Sequence, residues 1–162
     1  MYKGRRVLSV IPARGGSKGI PLKNLQRVAG EPLVTRAARI SCAVEAVDCT
    51  VVSTDHEEIA AAAIAGGAQA PFRRPPEISG DQVADHPVLL HALDEMERHT
   101  KSRYDIVLML QPTSPMRTPA HIAAALELLV ARDAEALWSL SPTDAKQHPL
   151  KQHVVQIGRA HV

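Results

Sequence analysis

The sequence predicts an α/β domain with a mostly parallel sheet covered on both faces. Two observations carry this expectation. Short apolar runs of strand length, VLSVI at 7–11, CTVVS at 49–53 and IVLML at 106–110, recur along the chain. Between them lie segments whose apolar residues fall at helical spacing, the alternation that puts helices over a parallel sheet. At 162 residues the chain suggests one domain, long enough to bury a real core.

The first run breaks at Pro12 into Arg14-Gly15-Gly16-Ser17-Lys18-Gly19 and then Pro21-Leu22-Lys23-Asn24. A buried strand emptying into glycines and fixed cations suits phosphate: the glycines let backbone N–H groups turn toward an anion, and Arg14, Lys18 and Lys23 supply charge. Pro32 to Val44 carries Leu33, Val34, Ala37, Ala38 and Ile40 at helical intervals. CTVVS reads as a second buried strand ending at Thr54-Asp55. Asp55 is expected to cap the helix Glu57 to Ala65, which closes at Gly66-Gly67. Ala68 to Phe72 reads as a third, weaker strand, and residues 73–81 as a loop. Pro87 to Arg98 has the pattern of an amphipathic helix, and Ile106 to Leu110 is the strongest strand signal. Gln111-Pro112-Thr113-Ser114-Pro115 stops it, Pro119 starts an alanine-rich helix through Val130, and Ala136 to Ser141 reads as a fifth strand. In such sheets ligands bind beyond the carboxyl ends of the strands. The loops 14–24, 74–85 and 111–117 fall there, so topology alone places a site among them.

Composition narrows the partners. A formal net charge of +2 is too small to imply nucleic-acid or membrane binding. Between Pro12 and Arg39, however, Arg14, Lys18, Lys23, Arg27, Arg36 and Arg39 face only Glu31, a balance suited to a small polyanion. Aromatic residues make up 2% of the chain, too few for a platform that stacks single-stranded nucleic acid. Cys42 and Cys49 lack a CxxC or metal-like spacing and read as reduced thiols of a cytoplasmic protein. The N-terminus leads straight into a short strand rather than a signal sequence, and no apolar run approaches the roughly 20 residues of a membrane helix. The histidines are scattered and form no ligand set.

The first loop contains neither GxxxxGK[ST] nor GxGxxG. Its residues IPARGGSKGIPLKNL resemble instead the signature of the acylneuraminate cytidylyltransferases, which make CMP-sialic acid and related CMP-nonulosonates. VSTD at 52–55, RRPPEISGD at 73–81, HAL at 91–93, LQPTSPMRT at 110–118 and HPLK at 148–151 continue the resemblance in order. It implies a three-layer Rossmann-like fold of the nucleotide-diphospho-sugar transferase type. It also implies a reaction in which CTP and a nonulosonic acid give the CMP-sugar and pyrophosphate, with Mg²⁺ or Mn²⁺ as cofactor. By motif, Arg14 and Lys18 would hold the triphosphate as the catalytic pair, within a nucleotide-binding set that adds Gly15, Gly16, Ser17, Asn24, Arg74, Val83 and Asp85. Gln111 and Lys151 would face the sugar acid.

From the residues alone, Asn24 serves equally as a turn cap and Gln111 as a partner for a backbone group, whereas Arg74 reads first as a solvated loop charge and Lys23, the weakest of the loop cations, as a surface salt-bridge partner. Val83-Ala84-Asp85 departs from the family, where many relatives carry a Ser or Thr, and leaves the role of Asp85 open. The relative that uses the eight-carbon acid KDO usually has PARxxSxRxPxK in the first loop and an Asp where Gln111 stands. Lys18-Gly19 and Gln111 therefore favour a nonulosonate. A non-catalytic nucleotide-binding fragment is a further alternative.

The family's chains run well beyond this length, and their later part carries an acidic metal-binding pair, the rest of the sugar pocket and a segment that makes homodimers. No Asp-x-Asp occurs here. The codons ATC-GGA-AGA-GCA-CAC-GTC for residues 157–162 would match the start of a common sequencing adapter. The expectation is thus a partial domain at 1–156, incomplete at its C-terminus and impaired as a transferase, and an artefactual tail at 157–162.

Overall fold

The computed structural model describes residues 1–140 and the strand residues 154–156 and 159–161. In chain order the elements are β1 (Val7–Pro12), β2 (Arg27–Val28), β3 (Glu31–Pro32), α1 (Leu33–Cys42), β4 (Cys49–Ser53) and α2 (Glu57–Ala65). There follow α3 (Asp85–Thr100), β5 (Ile106–Met109), α4 (Pro119–Ala131), β6 (Val154–Gln156) and β7 (Arg159–His161). Short 3-10 turns occupy Lys23–Leu25 and Pro76–Ile78.

β1 lies at the centre of a parallel sheet in the order β4-β1-β5. Leu8 pairs with Cys49 and Pro12 with Ser53, while Val7 to Val10 pair with Ile106 to Met109. Two small antiparallel pairs, β2 with β3 and β6 with β7, stand outside it. Alternation along β1 divides the core. Val7 and Ile11 pack with Val34, Ile40, Ile59, Ile122 and Leu126 from α1, α2 and α4. Leu8 and Val10 pack with Val51, Ala92 and Met96, the last two from α3. Helices therefore cover both faces, as the apolar runs imply.

A fully buried polar contact sits within the first layer. The Ser41 hydroxyl on α1 donates to Ser9 Oγ at 2.7 Å and lies 2.8 Å from Thr50 Oγ1, bridging β1 and β4. α4 is capped by Thr118, whose Oγ1 accepts from the His121 amide while His121 Nδ1 accepts from the Thr118 amide, so His121 belongs to a capping box.

Four expectations are corrected. Residues 68–72 form no strand; Gln69 alone bridges Val51, its amide donating to the Thr50 carbonyl and its carbonyl accepting from Val52. Pro71, Pro75 and Pro76 lack the donors a longer ladder needs. Residues 136–140 also form no strand, and Trp138 and Leu140 are exposed, leaving too little buried surface to hold one. Ser141 lies outside the described residues. α3 begins at Asp85, two residues before Pro87, which fits in a first turn because the amide it lacks would have no intrahelical partner. Finally, α2 has His56 at its N-cap with no side-chain capping bond. The Asp55 carboxylate has turned elsewhere.

The other end of β1 is held by the acids that precede its neighbours. Asp105 Oδ2 accepts from the Arg6 amide at 2.7 Å. Asp48 Oδ2 accepts from the Val7 amide at 2.8 Å, and Oδ1 from the Met1 ammonium at 2.7 Å. Burial pushes the Asp48 pKa up, but the ammonium bond, the Val7 bond and nearby Arg6 outweigh it and hold it below the usual value. The folded state thus binds the proton more weakly than the unfolded chain, so this stabilisation is full at neutral pH and is lost as pH falls through the folded pKa. Asp48→Asn is expected to lose about 1 kcal/mol at pH 7. In urea melts its gap from the wild type should narrow below about pH 4, the ordinary Asp range.

Candidate functional site

Because β1 and β4 are in register as far as Pro12 and Ser53, the segments leaving them emerge side by side. The Ala13 amide donates to the Ser53 carbonyl at 2.9 Å, and the Gly15 amide to Asp55 Oδ1 at 2.8 Å. This is where the Asp55 side chain goes instead of capping α2. The loop is then folded on itself: Ser17 N–H donates to the Gly15 carbonyl at 2.9 Å and Arg14 Nη1 to the Gly16 carbonyl at 2.6 Å. Asn24 is buried at 6% exposure, and its amide donates to the Arg14 carbonyl at 3.0 Å, tying the far end of the loop to its start.

The loop after residue 72 is anchored to the same strand end. The Arg74 amide donates to the Thr54 carbonyl at 2.8 Å. Its side chain, 4% exposed, donates from Nε to Ser53 Oγ at 3.0 Å and from Nη2 to the Ser53 carbonyl. Burial pulls the Arg74 pKa down, while the fields of Asp55 and Asp85 raise it. An arginine stays charged under such pressure. Arg74 is therefore a buried guanidinium whose direct partners are neutral oxygens, a charge that an anion would complete.

Together with the start of α3 and the segment after β5, these loops enclose a cleft of about 210 Å³. Arg14, Ser17, Lys23 and Asn24 line it from the first loop, Arg74, Asp81 and Val83 from the second, Asp85 from the start of α3, and Gln111 and Thr113 from the third loop. The Gln111 segment is braced from behind: Arg36 Nε donates to the Pro115 carbonyl at 2.7 Å, and half-buried Arg117 donates to the Gln111 carbonyl at 3.3 Å. Burial lowers the Arg117 pKa. Gly15 backs onto His56, Gly16 is exposed, and Lys151 lies outside the described residues.

Lys18 reaches across to Asp81 in an ion pair, and Arg14 Nη1 stands 3.7 Å from the same carboxylate. The bond from Lys18 is the main reason the Asp81 pKa lies below its usual value. Asp55, Asp81 and Thr113 are not among the candidate residues read from the sequence, and Lys23, expected to pair at the surface, lines the cleft. Asp55 carried a misleading signal, since Asp before a helix reads as a cap. Its position just past the end of a strand parallel to β1 becomes informative only once the strand order is known.

Among the described residues no three His, Cys, Asp or Glu side chains come together as a metal site. Asp81 and Asp85 are the carboxylates that line the cleft, and Asp81 is already paired with Lys18. The cleft presents Arg14, Lys23 and Arg74, with Lys18 at its edge, against Asp81 and Asp85. Its Gln111–Thr113 side is neutral and hydrogen-bonding. Such an arrangement can bind a polyphosphate at one end and a hydroxylated acid at the other. Asp81→Asn is expected to strengthen binding of inorganic tripolyphosphate two- to five-fold by freeing Lys18 and Arg14, the scale of an exposed ion pair. Calorimetric titration of both proteins checks this, and equal affinities would mean that Asp81 does not compete with the anion.

Residues 8–156 match the family described as cytidylyltransferase. The N-acylneuraminate cytidylyltransferase A of Danio rerio is 38% identical over 138 residues, covering 85% of this chain and 31% of that protein. The CMP-N,N'-diacetyllegionaminic acid synthase of Legionella pneumophila is 40% identical over 147 residues, 87% of this chain and 60% of that protein. Among solved structures, a CMP:2-keto-3-deoxy-manno-octonic acid synthetase complexed with CTP superposes with a TM-score of 0.64 at 26% identity, covering 80% of this chain and 49% of that one. A cytidylyltransferase from Leptospira borgpetersenii, at 18% identity and a TM-score of 0.60, shares the fold. The chain spans less than two thirds of the length of each of these proteins.

Proposed function

The chain belongs to the cytidylyltransferase family, and from that premise we propose that its cleft takes CTP and a sialic-acid-like nonulosonic acid, transfers CMP to the anomeric hydroxyl and releases pyrophosphate. The observation that carries this reading is the convergence of a glycine-rich cation loop and the buried Arg74 on one cleft that Gln111 also lines.

The sugar's anomeric hydroxyl attacks the α-phosphorus and gives up its proton to solvent, the bond from that phosphorus to the α,β-bridging oxygen breaks, and pyrophosphate leaves with that oxygen and the electron pair of the broken bond. Positioning and charge neutralisation are what the protein contributes. Arg14 and Lys18 take the β- and γ-phosphates, for which Lys18 exchanges Asp81 for the substrate. The backbone of Gly15 to Ser17 forms the loop wall, its Gly15 and Ser17 amides already held by Asp55 and by the Gly15 carbonyl, and Asn24 keeps that wall in shape by holding the Arg14 carbonyl. Arg74, Val83 and Asp85 border the nucleoside end. Gln111 faces the sugar acid, a role that extends to Lys151. The resemblance implies Mg²⁺ or Mn²⁺ as cofactor, for which the described residues supply no ligand set.

Relatives named for N-acylneuraminate, legionaminic and pseudaminic acids are 32% to 41% identical to the chain, whereas the KDO-type structure is 26% identical, which favours a nonulosonate. Homodimers are proposed for full-length members of the family, and the cytoplasm as the setting of the reaction. No helix among the described residues is long and apolar enough to cross a membrane. The second reading is a nucleotide-binding unit without catalysis.

Pyrophosphate release from CTP, measured with Neu5Ac, legionaminic acid, pseudaminic acid and KDO, separates these readings. Turnover is expected with a nine-carbon acid and not with KDO. CTP binding without turnover of any acid, by this chain and by a full-length version alike, selects the second reading. Arg14→Ala is expected to weaken CTP binding by about 1.5–3 kcal/mol, the scale of a charge-assisted hydrogen bond. Unchanged affinity would remove Arg14 from the site.

A further inference from the structure

We propose that Asp55 is a positioning residue for the phosphate loop, acting through the Gly15 peptide; its functional consequence rests on the nucleotide reading above. The Asp55 carboxylate holds the Gly15 amide at 2.8 Å across a sequence separation of 40 residues. That approach is possible because residue 15 has no side chain: a Cβ there would lie 2.9 Å from both Cβ and Cδ2 of His56. The Gly15 peptide is in turn the node of the loop. Its carbonyl accepts from Ser17, and the neighbouring Arg14 and Gly16 carbonyls are taken by Asn24 and by the Arg14 guanidinium.

Asp55 is well placed to transmit order between loops. Residues 53 to 55 also accept from Ala13, Arg74 and Arg73, the last donating Nη1 to the Asp55 carbonyl at 3.0 Å. One strand end thereby fixes the separation between the Arg14 loop and the buried Arg74. The charge itself works the other way. Its field supports the buried Arg74, but toward a phosphate ligand a carboxylate behind the loop is repulsive, so its value at Gly15 lies in the hydrogen bond it accepts.

That conflict makes the two obvious variants diverge. Asp55→Asn keeps a carbonyl-type oxygen for Gly15 and removes the repulsion. Asp55→Ala removes both. In the chain as it exists, CTP affinity is expected to fall at least ten-fold in Asp55→Ala, while Asp55→Asn stays within three-fold of wild type or binds more tightly. In the nucleotide-free protein, exchange of the Gly15 amide, followed by ¹⁵N NMR, is expected to accelerate at least ten-fold in Asp55→Ala and to remain slow in Asp55→Asn. A merely stabilising residue would change the melt without singling out Gly15. The proposal is overturned if Asp55→Asn weakens CTP binding as much as Asp55→Ala, which would assign the role to charge, or if Asp55→Ala leaves Gly15 exchange and CTP affinity unchanged. A wild-type chain that fails to bind CTP defeats the nucleotide reading instead, and the Gly15 exchange comparison still decides whether the clasp exists.

Discussion

The parallel pairing of β1 with β4 is the constraint on which the site depends. Its register sets Pro12 opposite Ser53 and delivers two unrelated loops to one level of the sheet edge. Both faces of β1 are buried, so a slip of one residue would exchange Val7 and Ile11 with Leu8 and Val10 across two differently shaped helix layers. Register is therefore set by the packing of the core, and the site inherits it. Asp55 meets Gly15, and Arg74 meets Ser53, because the strands beneath them cannot be shifted independently.

The elements legible in the sequence were those that local chemistry decides. β1, β4 and the helix Glu57–Ala65 follow from apolar runs and their breakers, and the cation loop from its glycines. What local chemistry could not reveal was the choice among competing partners. Arg73 and Arg74 are neighbours of identical type, yet only Arg74 is buried, because its backbone is tied to Thr54 and its side chain falls toward Ser53. Asp55 had a local option as a helix cap and a distant one at Gly15, and the distant amide won. Gln69 satisfies the ladder criterion for a single residue before Pro71 and the prolines that follow forbid more.

The cations of the cleft differ in their relation to water. Arg74 is desolvated and held by Ser53 before any ligand arrives, so its orientation is preorganised and little is lost when an anion meets it. Lys18 is 79% exposed at the end of a flexible stem and paired to Asp81. A group of that kind acts over distance on an approaching anion, in a manner sensitive to ionic strength. One site thus combines a fixed charge that discriminates with a mobile one that captures.

The buried hydroxyl bridge of Ser41 has a consequence for assembly. Its partners, Ser9 and Thr50, come from both strands, so neither strand alone satisfies the helix that carries it. If α1 docked before β1 and β4 had paired, it would bury a hydroxyl without its partners, at about 1–3 kcal/mol. The bridge therefore couples the seating of α1 to the pairing of β1 with β4, the strand edge that the cation loop must reach.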